Sequence, residues 1–182
     1  ENTYLYIDGG GFANIIGGSY GANSKDSYVY VGKTVDVGIV IGGSHGGVSE
    51  GNIEVVYAAE NGEELLKRNG VRRIIGGSVD ISNSEQKADC TGEYIKVTIE
   101  DGALVTDVRG ALNSMVHCDD IYINVEKGAA VTRFIEGGAG TSKGVPGFYP
   151  ANGYDPYYGS FYETHSNIHI RMDGEGRLSD KF

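Results

Sequence analysis

One short pattern recurs along the chain and limits the folds that it can adopt. The copies are "YLYI" at 4–7, "YVYV" at 28–31, "NIEV" at 52–55, "YIKV" at 94–97, "YINV" at 122–125 and "NIHI" at 167–170. The second and fourth residues are always Leu, Ile or Val, whereas the first is Tyr or Asn and the third varies. Alternation with a period of two is typical of a β-strand that is buried on one face.

A second apolar run ends in glycines. "IIGGS" occurs at 15–19 and 74–78, and the related "VIGGS" occurs at 40–44. Glycine suits a corner where the backbone needs a positive φ or a close approach to another strand. If equivalent corners stack, then Ser19, Ser44 and Ser78 lie one above another.

The spacing of the two runs predicts a solenoid. Successive copies of the first run begin 24, 24, 42, 28 and 45 residues apart, so one unit has about two dozen residues. Such a unit cannot bury its apolar face alone, but stacked units share a continuous core and pair in parallel about 4.8 Å apart. We therefore predict an all-β fold, a right-handed single-stranded parallel β-helix of about six coils that forms one domain over residues 1–182. Its inner column would contain Leu5, Val29, Ile53, Ile95, Ile123 and Ile168.

Two insertions interrupt the predicted coils, at residues 57–69 and 139–166. The first contains the helix-like "EELLKR", and the second contains all 3 prolines of the chain. The sequence begins close to a core strand and ends part-way through a sixth unit. We therefore expect a fragment of a larger protein, with neighbouring domains of the longer chain as partners.

The cysteines occupy matching positions in two units. Cys90 lies four residues before Tyr94, and Cys118 lies four residues before Tyr122. Equivalent Cα atoms on neighbouring coils would be about 4.8 Å apart, which suits a disulfide bond. We predict a Cys90–Cys118 bridge and hence an oxidising compartment, and the alternative is two free, buried thiols.

Aromatic residues are the first choice for a binding site. The repeat places Tyr4, Tyr28, Tyr94 and Tyr122 in one outward column, which serves either to stabilise the sheet or to stack on sugars. The second insertion is richer, and its aromatic side chains either form a small core or contact a ligand. The predicted ligand-binding residues are Phe148, Tyr149, Tyr154, Asp155, Tyr157, Tyr158, Phe161, Tyr162 and His165.

Motifs for catalysis and for cofactors are missing from the sequence. "GGSHGG" at 42–47 resembles a phosphate loop, but a strand-like segment follows it where a helix would be needed. The histidines do not have metal-ligand spacing, so we predict no catalytic residues, no metal site and no cofactor, and a role for Ca²⁺ stays open without a motif. A polysaccharide lyase or glycoside hydrolase is the alternative function. Its candidate residues would be Asp101, Asp107, Arg109, Asp119 and Asp120.

Composition excludes other classes of partner. The net charge of −10 and the lack of a Lys/Arg stripe argue against nucleic acid. No apolar run approaches the roughly 20 residues of a membrane span, so we predict no membrane insertion.

The repeats with "GG" corners resemble Gly-rich β-helical regions in large secreted or wall-attached proteins of Gram-positive gut bacteria. The resemblance covers about residues 4–138 and 167–176, and it implies an adhesin-like or polymer-binding role at the cell surface or in the secreted fraction. It implies no catalytic residue. We accordingly predict a non-enzymatic extracellular module that binds a glycan or cell-wall polymer, with a structural stalk as a further alternative.

Overall fold

The computed structural model describes residues 1–60, 72–80, 88–112, 114–138 and 164–178. All regular secondary structure in these ranges is β-strand. The strands are β1 (Thr3–Ile16), β2 (Ser27–Ile41), β3 (Val48–Ser49), β4 (Ile53–Tyr57), β5 (Arg73–Ile75), β6 (Asp89–Cys90), β7 (Tyr94–Ile99), β8 (Leu104–Arg109), β9 (Asp120–Val125), β10 (Ala130–Glu136), β11 (Asn167–Met172) and β12 (Glu175–Leu178).

The strands form one large curled sheet and one small sheet. The large sheet has the order β11-β9-β7-β4-β2-β5-β8-β10-β12, and β1 pairs with β2 beside this path. Strand β2 is long enough to belong to both arms, since its first part pairs with β4 and its last part pairs with β5. All the pairings between described strands are parallel, as the repeat predicts.

The first arm, which we call the first stack, contains all the predicted "YxYV"-type strands. It runs β1, β2, β4, β7, β9, β11. The predicted register is correct for two steps, because Leu5 pairs with Val29 and Ile53 pairs with Ile95. It is wrong by two residues at the other three steps, where Val29 pairs with Val55, Ile95 with Ile121 and Ile123 with Ile170.

A slip of two residues leaves every side chain on the face that was predicted for it. The predicted inner residues therefore all face the core side, but they occupy two neighbouring columns instead of one. Val29, Ile53, Ile95 and Ile123 are completely buried, whereas Leu5 is half-buried and Ile168 is 39% exposed because both lie at the ends of the stack.

The second arm, which we call the second stack, begins in the last parts of β1 and β2 and continues through β5, β8, β10 and β12. The glycine corners follow it directly and stack without a slip, since the N–H of Gly42 donates to Ile75 and that of Gly76 donates to Arg109. A Cβ on Gly42 would collide with the carbonyl oxygen of Gly76 and with methyl groups of Val55. The corners therefore need glycine for close packing between coils, and the alternative reason, a positive φ, does not apply to them.

The stacked serines are confirmed and extend further than predicted. The N–H of Ser44 donates to Ser78 Oγ at 3.1 Å, and the N–H of Ser19 donates to Ser44 Oγ at 3.2 Å. Two further serines join them. Ser24 Oγ lies 2.8 Å from Ser44 Oγ, and Ser49 Oγ lies 3.0 Å from Ser78 Oγ. Because the serines other than Ser19 are buried, the hydroxyl groups must satisfy one another.

The third side of the molecule is only partly regular. It consists of the small sheet β3–β6 and of single parallel bridges such as Tyr20 to His45 and His45 to Val79. The described residues are consistent with a β-helix-like fold, but they do not form the predicted closed solenoid of six coils. Their core is aliphatic, and Ile53, Ile95, Ile121 and Ile123 are among its largest side chains.

The predicted insertions lie mostly outside the described residues. Tyr57, the first residue of the insertion at 57–69, instead ends β4 and is buried in the core. Residues 61–69, which include the helix-like "EELLKR", are not described. The same holds for 139–163 of the second insertion, whose last residues, 164–166, lead into β11.

Candidate functional site

The outer face of the first stack carries a row of polar and aromatic side chains. Alternation along each strand places these side chains opposite the core. The central column contains Tyr4, Tyr28, Glu54, Lys96, Tyr122 and His169. The predicted column of tyrosines is therefore correct for Tyr4, Tyr28 and Tyr122 but wrong for Tyr94, which lies beside Asp120.

Aromatic rings are concentrated at the two ends of this outer face. At the β1 end the rings of Tyr6 and Tyr30 stack with centroids 4.4 Å apart and planes at 9°. Tyr4 and Tyr6 are 72% and 68% exposed there. At the β11 end Tyr122 stacks on His169 with centroids 4.7 Å apart. Both ends thus offer flat, amphipathic rings to the solvent.

An open groove lies between the two aromatic ends. Its volume is about 610 Å³, and its walls come from β4, β7, β9 and the segments that follow them. The groove is charged, and Lys96 Nζ lies 2.7 Å from Glu54 Oε1 among its lining residues. The other polar lining residues are Thr98, Glu100, Asn124, Glu126, Lys127, Arg171 and Asp173.

The groove side chains hold one another in place. The hydrogen bond from Lys96 to Glu54 raises the pKa of the ammonium group, and desolvation raises the pKa of the neighbouring Tyr28. At the far end, His169 lies 2.9 Å from Asp120, and this hydrogen bond lowers the pKa of the carboxyl group. The face therefore presents carboxyl, ammonium, guanidinium and phenol groups, which can donate and accept hydrogen bonds, and among its described residues no nucleophile is paired with a base.

The residues considered for an enzyme lie in different surroundings. Asp107 and Arg109 are completely buried, so neither can contact a polymer from the solvent. Asp101 lies in the predicted Asp-Gly turn, where Gly102 has a φ of 80°. Asp119 and Asp120 are at the start of β9, next to Asn167.

The buried charges form a structural network on the second stack. Arg109 Nη1 lies 3.2 Å from Glu136 Oε2, and Asp107 Oδ2 lies 3.3 Å from Arg73 Nη2. Burial lowers the pKa of Arg109 to about 10, although Glu136 opposes the shift, so the guanidinium group is still charged at neutral pH. Arg72 is buried nearby and contacts both Asp36 and the hydroxyl group of Tyr57.

The predicted disulfide bond is wrong, since Cys90 and Cys118 are both free thiols. Tyr94 pairs with Asp120, so the residues four positions earlier do not oppose each other as the predicted register required. Cys90 Sγ accepts the N–H of Ser78, whereas Cys118 Sγ lies 3.3 Å from Ser166 Oγ. Burial raises the pKa of Cys90 to about 12, so this thiol is protonated and unreactive.

Only one of the predicted ligand-binding residues lies in the described part of the chain. His165 stacks on His117 with ring centroids 5.1 Å apart, and His117 Nδ1 lies 2.8 Å from Asp89 Oδ2. The structure does not bring His165 to the outer face of the first stack. Outside the described residues are Phe148, Tyr149, Tyr154, Asp155, Tyr157, Tyr158, Phe161 and Tyr162.

A second, smaller groove of about 370 Å³ follows the turns that precede the first stack. Asp26, Glu50, Glu93 and Asp119 contribute to its lining. Asp26 accepts hydrogen bonds from the backbone N–H of Asn52 and from Asn2, so it stabilises a turn. Among the described residues no group of three or more His, Cys, Asp or Glu side chains is arranged to hold a metal ion.

Sequence reasoning did not find the charged centre of the outer face. Glu54 and Lys96 occupy the variable third position of the repeat, and Arg171 directly follows the copy "NIHI", so no aromatic residue marks them. The sequence did contain one sign of this ion pair, because Glu54 and Lys96 have opposite charges at the same position of two successive copies, "NIEV" and "YIKV".

Compared with protein-family models, with curated proteins and with solved structures, the chain shows no match. The part of the chain that the structure describes contains no helix with the length and hydrophobicity to cross a bilayer.

Proposed function

We propose that the chain is a non-enzymatic extracellular module that binds a carbohydrate polymer on the outer face of the first stack. The exposed tyrosine surface at the β1 end carries this proposal. Tyr4 and Tyr6 expose about two thirds or more of their area, and Tyr6 is held flat by its stacking on Tyr30. A rigid exposed ring that also carries a hydroxyl group is suited to stack on the apolar face of a sugar.

The groove beside the tyrosines supports the same ligand class. A polymer laid across the strands meets one side-chain column after another at the spacing of about 4.8 Å between strands. Glu54, Lys96, Glu100 and Asn124 supply donors and acceptors for its hydroxyl groups. Because both signs of charge are present, we expect a neutral glycan to bind better than a strongly acidic one.

The scaffold that we propose for this module is a right-handed parallel β-helix, to which the two stacks contribute two sides. Since both thiols are free, cysteine pairing gives no support to an extracellular location. That part of the proposal rests on the resemblance of the repeats alone. The aromatic segment at 147–165 is proposed as a second contact on the strength of its sequence.

A glycan array tests the proposal with variants of matched exposure. We expect wild-type protein to bind a defined set of neutral glycans, and Tyr6→Ala to weaken this binding about tenfold, the equivalent of about 1.4 kcal/mol. Tyr20→Ala is the control, because Tyr20 is 71% exposed but lies on the third side beside His45. A Tyr157→Ala, Tyr158→Ala variant reports on the aromatic segment.

The other functions give different outcomes in the same assay. Release of reducing or unsaturated ends from bound glycans would establish the lyase or hydrolase and reject the non-enzymatic module. Silence across the array for wild-type protein would favour the structural stalk. Equal losses for Tyr6→Ala and Tyr20→Ala would show that the outer face is not the binding surface.

A further inference from the structure

Strand β1 has a free edge. It pairs with β2 on one side, and no described strand pairs with its other side. Over its 14 residues β1 contains no Lys and no Pro, and its only charged residue is Asp8. Lys and Pro are the residues that natural proteins use to prevent another strand from pairing with an exposed edge.

The first five residues of β1 form a regular surface for such pairing. Thr3 to Ile7 continue the register of β2 without interruption, and an irregularity follows only between Ile7 and Gly9. Leu5 and Ile7 pack against the core but are only half-buried, and none of the described strands covers them. The edge therefore offers both unpaired backbone groups and apolar side chains.

The opposite end of the first stack has the matching surface. Strand β11 pairs with β9, and no described strand pairs with its outer edge. Its inward side chains are Ile168, Ile170 and Met172, of which Ile168 is 39% exposed and the other two are half-buried. The two end strands thus expose the last members of the same aliphatic columns. One of these columns contains Leu5, Val29, Val55, Val97, Ile123 and Ile170.

The outward side chains of the two ends are complementary as well. His169 stacks on Tyr122 with one ring face and is about half exposed, so its other face is open to the ring of a Tyr4. Arg171 is 74% exposed and lies in the column of Tyr6, where a guanidinium group can stack on the phenol ring. Asp8 follows two residues after Tyr6 and adds a negative charge close to that position.

We propose that the free edge of β1 binds strand β11 of a second copy of this chain, in parallel, with Leu5 opposite Ile170. This register places Thr3 opposite Ile168 and Ile7 opposite Met172, so that both inner columns continue from one copy into the next. Tyr4 then lies on His169, and Tyr6 lies on Arg171, so in an open stack the tyrosine surface that we propose for sugar binding stays exposed only on the terminal copy. The contact joins two different surfaces, so it repeats from copy to copy and produces an open stack.

Cysteine cross-linking of the intact 182-residue chain tests both the contact and the register. Tyr6→Cys and Arg171→Cys proteins are mixed and oxidised mildly, and we expect a covalent heterodimer as the main product. Tyr6→Cys mixed with Thr98→Cys is the control, because Thr98 lies in the same column in the middle of the stack. The native thiols of Cys90 and Cys118 are each 1% exposed and do not compete.

The register is wrong if Tyr6→Cys cross-links to His169→Cys in preference to Arg171→Cys. The contact itself is wrong if neither pair exceeds the Thr98→Cys control. A disulfide bond tolerates Cα separations of only about 4.4–6.8 Å, so a shift of two residues is distinguishable.

Sedimentation of the same full chain gives an independent measurement. For wild-type protein we expect the average mass to rise with concentration beyond that of a dimer, and Tyr6→Lys to weaken this association at least tenfold. Mixing Tyr6→Lys with Arg171→Glu should restore pairing between the two variants, whereas Thr98→Lys should associate like wild type. A wild-type chain that stays monomeric up to about 1 mM would overturn the proposal.

Discussion

The buried ion pair of Arg109 and Glu136 allows a quantitative test of the second stack. Arg109 and Glu136 are adjacent on neighbouring strands, and their side chains are 0% and 5% exposed. At their separation of 3.2 Å the attraction is about 5 kcal/mol for an effective dielectric constant of about 20. Both charges had to leave water to make this contact, so the net contribution of the pair to stability is much smaller.

We therefore expect the two single substitutions to cost far more than the double one. Glu136→Leu leaves a buried guanidinium group, and Asp107, a carboxylate that also acts on it, already contacts Arg73 and Arg133. Each of Glu136→Leu and Arg109→Met should lower the free energy of unfolding by about 3–5 kcal/mol. The double variant should lie within about 1 kcal/mol of wild type, because its side chains replace the charges with apolar groups of similar size.

Urea denaturation followed by circular dichroism measures these free energies, provided that the denaturant slopes of the variants agree. The exposed pair of Lys33 and Glu60 supplies the control, with Nζ 2.6 Å from Oε1 and side chains 61% and 45% exposed. Removal of either partner there should have little effect on the free energy of unfolding. The reasoning is refuted if Glu136→Leu costs less than about 1 kcal/mol, or if the double variant loses the sum of the two single losses.

Three further predictions concern the corners, the thiols and the outer face. Gly42→Ala should lower the midpoint of thermal unfolding strongly, because its Cβ would collide with the next corner, whereas Gly11→Ala, which meets nothing within 4 Å, should have a small effect. Cys90 and Cys118 should both react with a thiol reagent in urea, and the unfolded, non-reduced chain should show no disulfide bond by mass spectrometry. The pKa of Asp120 is lowered in the folded state, so the carboxylate stabilises the fold above its unfolded pKa of 3.8, and this contribution disappears as the pH falls through the folded pKa. Asp120→Asn should therefore reduce stability near pH 6 and make little difference near pH 2, and an equal loss at both values would contradict the assignment.

Many of the strand positions followed directly from the sequence. Alternating aliphatic residues identified every member of the first stack, and the "GG" corners identified the ends of β1, β2 and β5 in the second stack. The corner register could even have revealed the buried charges. Counting back from the stacked corners puts Arg73 in line with Asp107, and Arg109 in line with Glu136, as the strand pairing shows.

The aromatic column and the disulfide bond could not be predicted correctly because both require the absolute register of the first stack. Aliphatic alternation repeats every two residues, so a slip by two keeps each apolar side chain inside and changes nothing in the hydrophobic pattern. The tyrosines were aligned by residue type alone. Residue type is a weak guide here, because Tyr122 lies beside Lys96 and His169 and does not lie beside Tyr94.

Polar contacts in the turns before each strand decide between the registers. Asp26 Oδ1 accepts the N–H of Asn52, and Asn52 Oδ1 in turn accepts the N–H groups of Glu93 and Tyr94. The first bond places Asn52 level with Asp26, so β4 is offset by two residues from the predicted alignment with β2, whereas the other two bonds keep Asn52 level with Tyr94, as predicted. As a result Tyr28 lies beside Glu54, and the aromatic rings are separated into two end groups with a charged groove between them. The turn residues therefore determine where the outer face presents aromatic rings and where it presents charged side chains.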